Sequence, residues 1–269
     1  QASLDNAPLP AWDLVELSRY ALPASRLRRR PALPMQLSRG CSHAECLHCP
    51  STFASAQRYR RTSPEAAVEK VLAHAERFGV REVCFVDEDF VVGREWVLDF
   101  AGALRTRGSP VRWSCEVRPS QVDEQLLAAM QEAGCHQVLI GMDVLDTPLL
   151  RRLEKDQTVA SCAAAARAAR RAQLSAVGLF VVGLPWTDPA VVEATVEHAL
   201  CHKLDGAFFV LYRPAPGTLG WEELGWGPAD YVDSLQDPSR ACFVPAGFAD
   251  LEHVERVFRR ALRSYHRDP

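Results

Sequence analysis

Three cysteines crowd into nine positions, Cys41-Ser42-His43-Ala44-Glu45-Cys46-Leu47-His48-Cys49. The spacing is C-x4-C-x2-C, and thiolates set this close are ligands for soft metal centres, iron–sulfur clusters or zinc. Three thiolates hold three irons of a four-iron cube and leave the fourth iron open. An open position marks a metal that does chemistry rather than one that only holds structure. Zinc is the competing reading, with His43 or His48 as fourth ligand. Closed zinc sites usually pair two such half-sites, and no second close cysteine pair exists in the chain. The loop alone therefore favours a cluster over zinc, with chance clustering of structural cysteines behind both.

A metal loop needs a frame. From Pro34 onward, short apolar runs alternate with helical patterns. The strands expected are Met35–Ser38, Glu82–Val86, Val111–Val117, Gln137–Met142, Ala176–Val182 and Ala207–Tyr212. The helices expected are Pro64–Phe78, Glu95–Arg107, Asp123–Ala133, Pro148–Leu153, Val159–Gln173 and Pro189–Lys203. Ser63-Pro64-Glu65 offers an N-cap, a first-turn proline and an early acid, and Gly79 offers the stop. Gly108 and Gly134 close two further helices in the same way. The alanine-rich stretch Ala160–Ala172 is a strong helix former. Strands alternating with helices at this interval imply βαβ units and a parallel sheet, either a partial barrel or a doubly wound sheet. In both architectures the functional groups gather at the C-terminal ends of the strands, and the cysteine loop follows the first of them.

The bulk numbers bound the function. The 269 residues are 48% hydrophobic and 24% charged, enough for one large or two small domains with a full core. A net charge of −3 and a pI near 6.3 give no basic field to argue for nucleic acid, though they leave an RNA substrate open. The longest apolar run, around Ala176–Leu184, is far short of the ~20 residues of a membrane helix. The polar, proline-bearing start does not read as a signal peptide. The first residue is Gln1, which suggests a processed chain or an excised fragment. Six further cysteines (Cys84, Cys115, Cys135, Cys162, Cys201, Cys242) are scattered and read as reduced, buried thiols of a cytoplasmic protein. Residues 1–33 read as a lead-in or linker segment, 34–218 as the barrel, and 219–269 as a C-terminal extension with a terminal helix near Leu251–Ser264 that covers the barrel edge. The lead-in ends in the basic stretch Arg26-Leu27-Arg28-Arg29-Arg30, and Arg28–Arg30 read as a solvated face.

Beyond the loop, a series of segments resembles the radical S-adenosylmethionine (SAM) superfamily, on the branch whose members often bind cobalamin. Leu4-Asp5, Leu9-Pro10-Ala11-Trp12-Asp13-Leu14 and Tyr20 resemble the linker that there follows a cobalamin-binding domain. Gln36-Leu37-Ser38-Arg39-Gly40-Cys41 resembles the strand leading into the cluster loop. Tyr59-Arg60 and Ser63-Pro64-Glu65 resemble the lead to the first helix, and Phe85-Val86-Asp87-Glu88-Asp89-Phe90 the second strand end. Gly141-Met142-Asp143 with Lys155, then Phe180–Pro185 and Pro214–Thr218, resemble the later strand ends in order. The family's usual loop is C-x3-C-x2-C, so one residue is extra here. His48 replaces the usual aromatic, Asp143-Val144 a Glu or Gln followed by Ser, and Trp186-Thr187-Asp188 a Gly-Glu-Thr. The cobalamin-binding domain is not in this chain.

The resemblance implies a partial (β/α)6 TIM-like barrel with mostly parallel strands. It implies a [4Fe-4S] cluster on Cys41, Cys46 and Cys49. SAM would chelate the open iron and be cleaved reductively to a 5′-deoxyadenosyl radical, with the cofactors carrying the hard chemistry. His48 is expected beside the adenine, with an exposed loop residue as the bland reading. Lys155 or Arg118 is expected to clamp the SAM carboxylate, a guanidinium matching it bidentately. Asp143 is expected at the amino or ribose groups. Among Asp87, Glu88 and Asp89, either one meets the SAM ammonium or all three form a solvated loop. Gly183 and Pro185 would let the backbone approach the adenine. Tyr212, Arg213 and Glu116 are candidate substrate contacts. The expected activity is a radical SAM reaction on a small molecule, with a methyltransferase or rearrangement enzyme using cobalamin in first place. A cobalamin-free oxidoreductase or cyclase is the runner-up, and a zinc-stabilised, catalytically silent partner subunit the alternative. A reductant such as flavodoxin or ferredoxin is expected, and no membrane.

Overall fold

A computed structural model describes residues 3–17, 28–51 and 59–267. Tyr20, Arg26 and Leu27 lie outside the described residues. The main sheet begins with β1 (Ala32–Met35), three residues ahead of the expected Met35–Ser38. The shift has a physical reason. Pro34 argues against a strand interior, but β1 is the sheet's edge, and an edge strand tolerates a missing N–H. The expected tail of that strand is instead β2 (Ser38–Arg39), which pairs antiparallel with β3 (Arg60–Arg61) and makes a two-rung ribbon at the stem of the cysteine loop.

Five parallel strands follow: β4 (Glu82–Phe85), β5 (Arg112–Val117), β6 (Cys135–Asp143), β7 (Ser175–Val182) and β8 (Gly206–Leu211). The sheet order is β1-β4-β5-β6-β7-β8, every pair parallel, curled into a half-barrel as the sequence reading expected. The intervening helices are α1 (Pro64–Phe78), α2 (Arg94–Thr106), α3 (Glu124–Glu132), α4 (Thr147–Arg152), α5 (Val159–Arg171) and α6 (Pro189–Cys201). Helix α1 keeps its expected bounds. Ser63 Oγ accepts from Ala66 N–H (3.3 Å), Pro64 opens the first turn, and Gly79 ends it at φ +63°. A left-handed residue there costs glycine nothing.

The core lies between sheet and helices. Phe85, Phe90, Trp96, Phe100 and Trp113 form a continuous aromatic cluster under β4 and α2. Each buried ring is worth roughly 1.5–3 kcal/mol, and Phe90 anchors the acidic turn that leaves β4. Beyond β8 come α7 (Trp221–Leu224), α8 (Pro228–Ser234) and α9 (Leu251–Arg267). Helix α9 packs on α6 and β8, burying Val254, Val257, Phe258, Ala261 and Tyr265. It covers the edge that β8 would otherwise expose. Of the scattered cysteines, Cys84, Cys115, Cys135 and Cys162 are buried. Cys242 is half-buried, and Cys201 is exposed because α6 ends at it on the surface.

Candidate functional site

The cysteine loop emerges from the β2–β3 stem at the C-terminal end of β1. Several hydrogen bonds fix it. Leu47 N donates to Leu153 O (3.1 Å), Leu219 N to Leu47 O (2.6 Å), and Cys49 N to Cys46 O (3.1 Å), which closes the turn between those two thiols. His43 Nε2 lies 2.7 Å from Glu154 O, and Ser42 Oγ donates to Asp89 Oδ2 (3.4 Å). The loop is therefore held by the ends of β4 and α4 and by the extension at once.

His48 is buried. Its Nε2 lies 3.2 Å from Asp143 Oδ2, and Lys155 Nζ donates to the same oxygen. Burial disfavours the Asp143 charge, but Lys155 and then His48 outweigh it and hold its carboxyl well below the usual carboxylate range. Burial also works against the Lys155 charge, and Asp143, with Cys46 and Cys49 behind it, more than offsets that, so its pKa is raised. The exposed-loop reading of His48 fails, and Lys155 too is largely shielded from solvent.

The donor set fits the implied cluster. Burial pushes the Cys46 thiol up to about 12; Lys155 opposes the rise, while Asp143, Cys49 and Cys41 add to it. A metal binds cysteine as the thiolate, and its positive charge would favour that form at Cys46. Both imidazoles are anchored elsewhere through Nε2. Among the described residues, no three His, Cys, Asp or Glu side chains converge on a point that could hold a single ion. The loop itself offers three thiols, the donor number of a four-iron cube with one open iron.

The acidic strand end is mostly not a solvated loop. Glu88 is exposed, but Asp87 and Asp89 are buried. Asp87 Oδ1 accepts from Leu37 N (3.0 Å), Ser38 N (2.5 Å) and Ser38 Oγ (2.5 Å), so it knots the chain just before the cluster loop. Asp89 faces Ser42 and lies 3.8 Å from Arg118 Nη1, whose Nη2 is 3.4 Å from Asp156. The carboxylate-clamp candidates thus sit at two strand ends: Arg118 after β5, Lys155 beside β6. Glu116 is half-buried on β5, its carbonyl accepting from Phe90 N (3.3 Å).

Gly183 has φ +83°, and a Cβ there would lie 3.3 Å from Val254 of α9, so its missing side chain makes room for the extension. Pro185 is buried beside it. Tyr212 OH donates to Leu219 O, next to the nitrogen that holds Leu47. Arg213 donates to the carbonyls of Ser234, Asp237 (2.6 Å) and Arg240 (2.9 Å), which ties the extension over the end of β8. The structure therefore joins Cys46, His48, Asp143 and Lys155, brings Asp89 and Arg118 against the loop, and engages Tyr212 and Arg213 with the extension.

Residues 35–198 match the radical SAM superfamily. The chain belongs to that superfamily. Membership implies a [4Fe-4S] cluster and SAM as cofactors of an enzyme. This radical SAM chain is 28% identical over 220 residues to an uncharacterized methyltransferase of Pyrococcus horikoshii, covering 82% of the chain and 47% of that protein. It is 27% identical over 219 residues to the anaerobic magnesium-protoporphyrin IX monomethyl ester cyclase of Cereibacter sphaeroides, covering 80% and 35%. It thus spans about half or less of the curated relatives it matches. Its fold resembles the radical SAM methyltransferase TsrM of Kitasatospora setae solved with cobalamin and a [4Fe-4S] cluster, at TM-score 0.67 and 18% identity over 87% of this chain and 50% of that one. Among the described residues no helix is long and apolar enough to cross a membrane.

Sequence reasoning missed Ser42 and Gln157. Gln157 Nε2 donates to Met142 O (2.9 Å) and supports the backbone that turns at Asp143. Nothing in periodicity marks it. A buried Gln after a polar Lys-Asp pair becomes visible only once β6 and the loop after α4 are placed.

Asp87 carries a pH signature. Burial raises its pKa from 3.8 to about 6, against the hydrogen bonds from Ser38 and Leu37. A folded value above the unfolded one means that its stabilising contribution is full below about pH 4 and lost as pH rises through about 6. Relative to Asp87→Asn, the wild type is expected to lose about 3 kcal/mol of unfolding free energy between these limits. Urea titrations of both proteins across that window measure the difference, and parallel pH profiles would refute the assignment.

Proposed function

We propose that the chain binds SAM on a four-iron cluster held by Cys41, Cys46 and Cys49 and directs the resulting radical chemistry to a methyl transfer on a small molecule, with cobalamin as a further cofactor. The observation that carries the cluster assignment is the three-thiol loop at the end of β1, anchored through His48 on the end of β6. Cobalamin and methyl transfer rest on the methyltransferase relatives and on the likeness to TsrM. When bound and reduced, the cluster supplies one electron to the sulfonium of SAM. The residues do the rest. The cysteines hold iron, and Arg118, half-buried beside Asp89, offers a planar donor pair for the SAM carboxylate. Asp87 fixes the approach to the loop, Gly183 leaves room for Val254 of the extension, and Arg213 ties that extension over the end of β8, with the backbone at Gly183 and Pro185 a candidate neighbour of the adenine. Tyr212 and Glu116 stay candidates for the substrate side. The reductant is a small carrier such as flavodoxin or ferredoxin, and the setting is the cytoplasm.

The cyclase relative favours a second reading, an oxidation or ring closure without methyl transfer. One experiment separates these readings. After anaerobic reconstitution the protein is assayed for iron, sulfide and zinc, for 5′-deoxyadenosine from SAM with dithionite, and for hydroxocobalamin binding by dialysis. About four irons per chain and SAM cleavage are expected. Weak or no cobalamin uptake by residues 1–269 alone fits either reading; methyl label from SAM found in the product supports the first, and 5′-deoxyadenosine formed without methyl transfer supports the second. Stoichiometric zinc without iron overturns both.

A further inference from the structure

We infer that His48 is a positioning residue for the iron-binding turn, acting through an Asp143 carboxylate that Lys155 holds in place. The inference rests on the cluster reading above and goes beyond it, because it assigns these three side chains to the loop rather than to SAM.

Three observations carry it. His48 lies between Cys46 and Cys49, inside the turn closed by Cys49 N and Cys46 O. Its side chain is 8% exposed, and those of Asp143 and Lys155 are each 12% exposed. One carboxylate oxygen meets both partners, at 3.2 Å from His48 Nε2 and in direct contact with Lys155 Nζ. An acceptor at Nε2 requires the proton on that nitrogen, so Asp143 fixes the tautomer and the ring plane. A buried charged network of this kind holds its geometry because losing one member leaves an uncompensated charge.

The backbone of Asp143 is shaped for the contact. It ends β6 at φ +55°, a left-handed conformation that is strained for a non-glycine residue. Such strain persists only where the surroundings over-determine it. Here the sheet register shifts between Gly141 and Asp143, Val144 N bonds to Met142 O (2.7 Å), and Gln157 holds the same carbonyl. The strand end is bent to present the carboxylate to the loop. The hydrogen bonds from Leu47 and His43 fix one side of the loop on the chain after α4. The His48–Asp143 contact fixes the Cys46–Cys49 side on β6. Groups that orient metal-binding residues in this way typically govern metal retention without touching the metal.

The test compares wild type, His48→Phe, His48→Gln and Asp143→Ala after anaerobic reconstitution. Iron release to a chelator, the electron paramagnetic resonance spectrum of the reduced cluster, and the thermal midpoint of the metal-free protein are recorded. Gln carries an N–H near the place of Nε2 and nothing at Nδ1, so it isolates the Asp143 contact. His48→Phe and Asp143→Ala are expected to release iron about tenfold faster or more, with shifted g values, while His48→Gln stays within about threefold of wild type. The metal-free midpoint of His48→Gln should match that of wild type. Equal release from wild type and His48→Phe overturns the inference, as does His48→Gln releasing iron as fast as His48→Phe. Wild type that loads no iron overturns the functional reading and this inference with it. Wild type that loads four irons while the variants behave like it overturns this inference alone.

Discussion

Cys46→Ala, reconstituted anaerobically, is expected to hold no four-iron cluster and to form no 5′-deoxyadenosine from SAM. Cys162→Ala and Cys201→Ala are expected to keep about four irons per chain. The contrast follows from position. Cys46 opens the turn that Cys49 N closes, at the end of β1 where the half-barrel gathers its functional groups. Two thiolates cannot hold three irons, so the loss is complete rather than graded. Cys162 sits buried within α5, outside the cysteine loop and with no second loop thiol beside it in sequence. Removing its sulfur leaves a small cavity worth roughly 1–2 kcal/mol of stability and no change in iron. Cys201 is exposed at the end of α6 and has no part in the loop. Iron and sulfide analysis with chromatography of the SAM products decides the matter. Full iron loading of Cys46→Ala would remove the basis of the site.

Much of this frame is legible because its signals are local. Helix α1 begins at Ser63-Pro64 and ends at Gly79 because a cap, a first-turn proline and a left-handed stop lie within the residues they control. The cysteine loop is legible for the same reason: its donors are neighbours in sequence. Strand β1 was misplaced because a rule about proline depends on whether a strand is an edge, and only the assembled sheet decides that. The His48–Asp143–Lys155 network joins a loop, a strand end and the residue beyond α4. Each side chain has a plausible role alone, and nothing in the spacing says that they meet. Asp87 and Asp89 look solvated in sequence, since adjacent carboxylates repel; the fold instead turns Asp87 toward the backbone at Leu37 and Ser38 and Asp89 toward Arg118. Arg28 and Arg29 do have exposed side chains, as a charged run should, but their backbone N–H groups point inward to one carboxylate.

That carboxylate is Glu82, and Glu82→Ala is expected to cost about 3–5 kcal/mol of unfolding free energy. Glu82 opens β4 at the N-terminal end of the sheet, away from the cysteine loop, and is fully buried. Its Oε2 accepts from Arg28 N (2.8 Å) and Arg29 N (2.6 Å), and its Oε1 lies 2.9 Å from His136 Nε2 on β6. One side chain thus joins the segment before β1 to a central strand. Alanine would strand two backbone donors and a buried imidazole, and unsatisfied buried groups cost more than the bonds they lose. Burial alone would raise the Glu82 pKa, but the hydrogen bonds from His136, then Arg28 and Arg29, outweigh it and hold the value below 4.5. A lowered folded value means that this stabilisation is present above about pH 4.5 and lost as pH falls through the folded pKa. Glu82→Gln keeps the shape and an acceptor without the charge, so its cost at neutral pH should be smaller, about 1–2 kcal/mol. The gap between Glu82→Gln and wild type should close as pH falls through the folded pKa of Glu82. Urea denaturation of the three proteins at pH 7 and in acid reads both effects, and a Glu82→Ala protein as stable as wild type would show that the lead-in is held by other contacts.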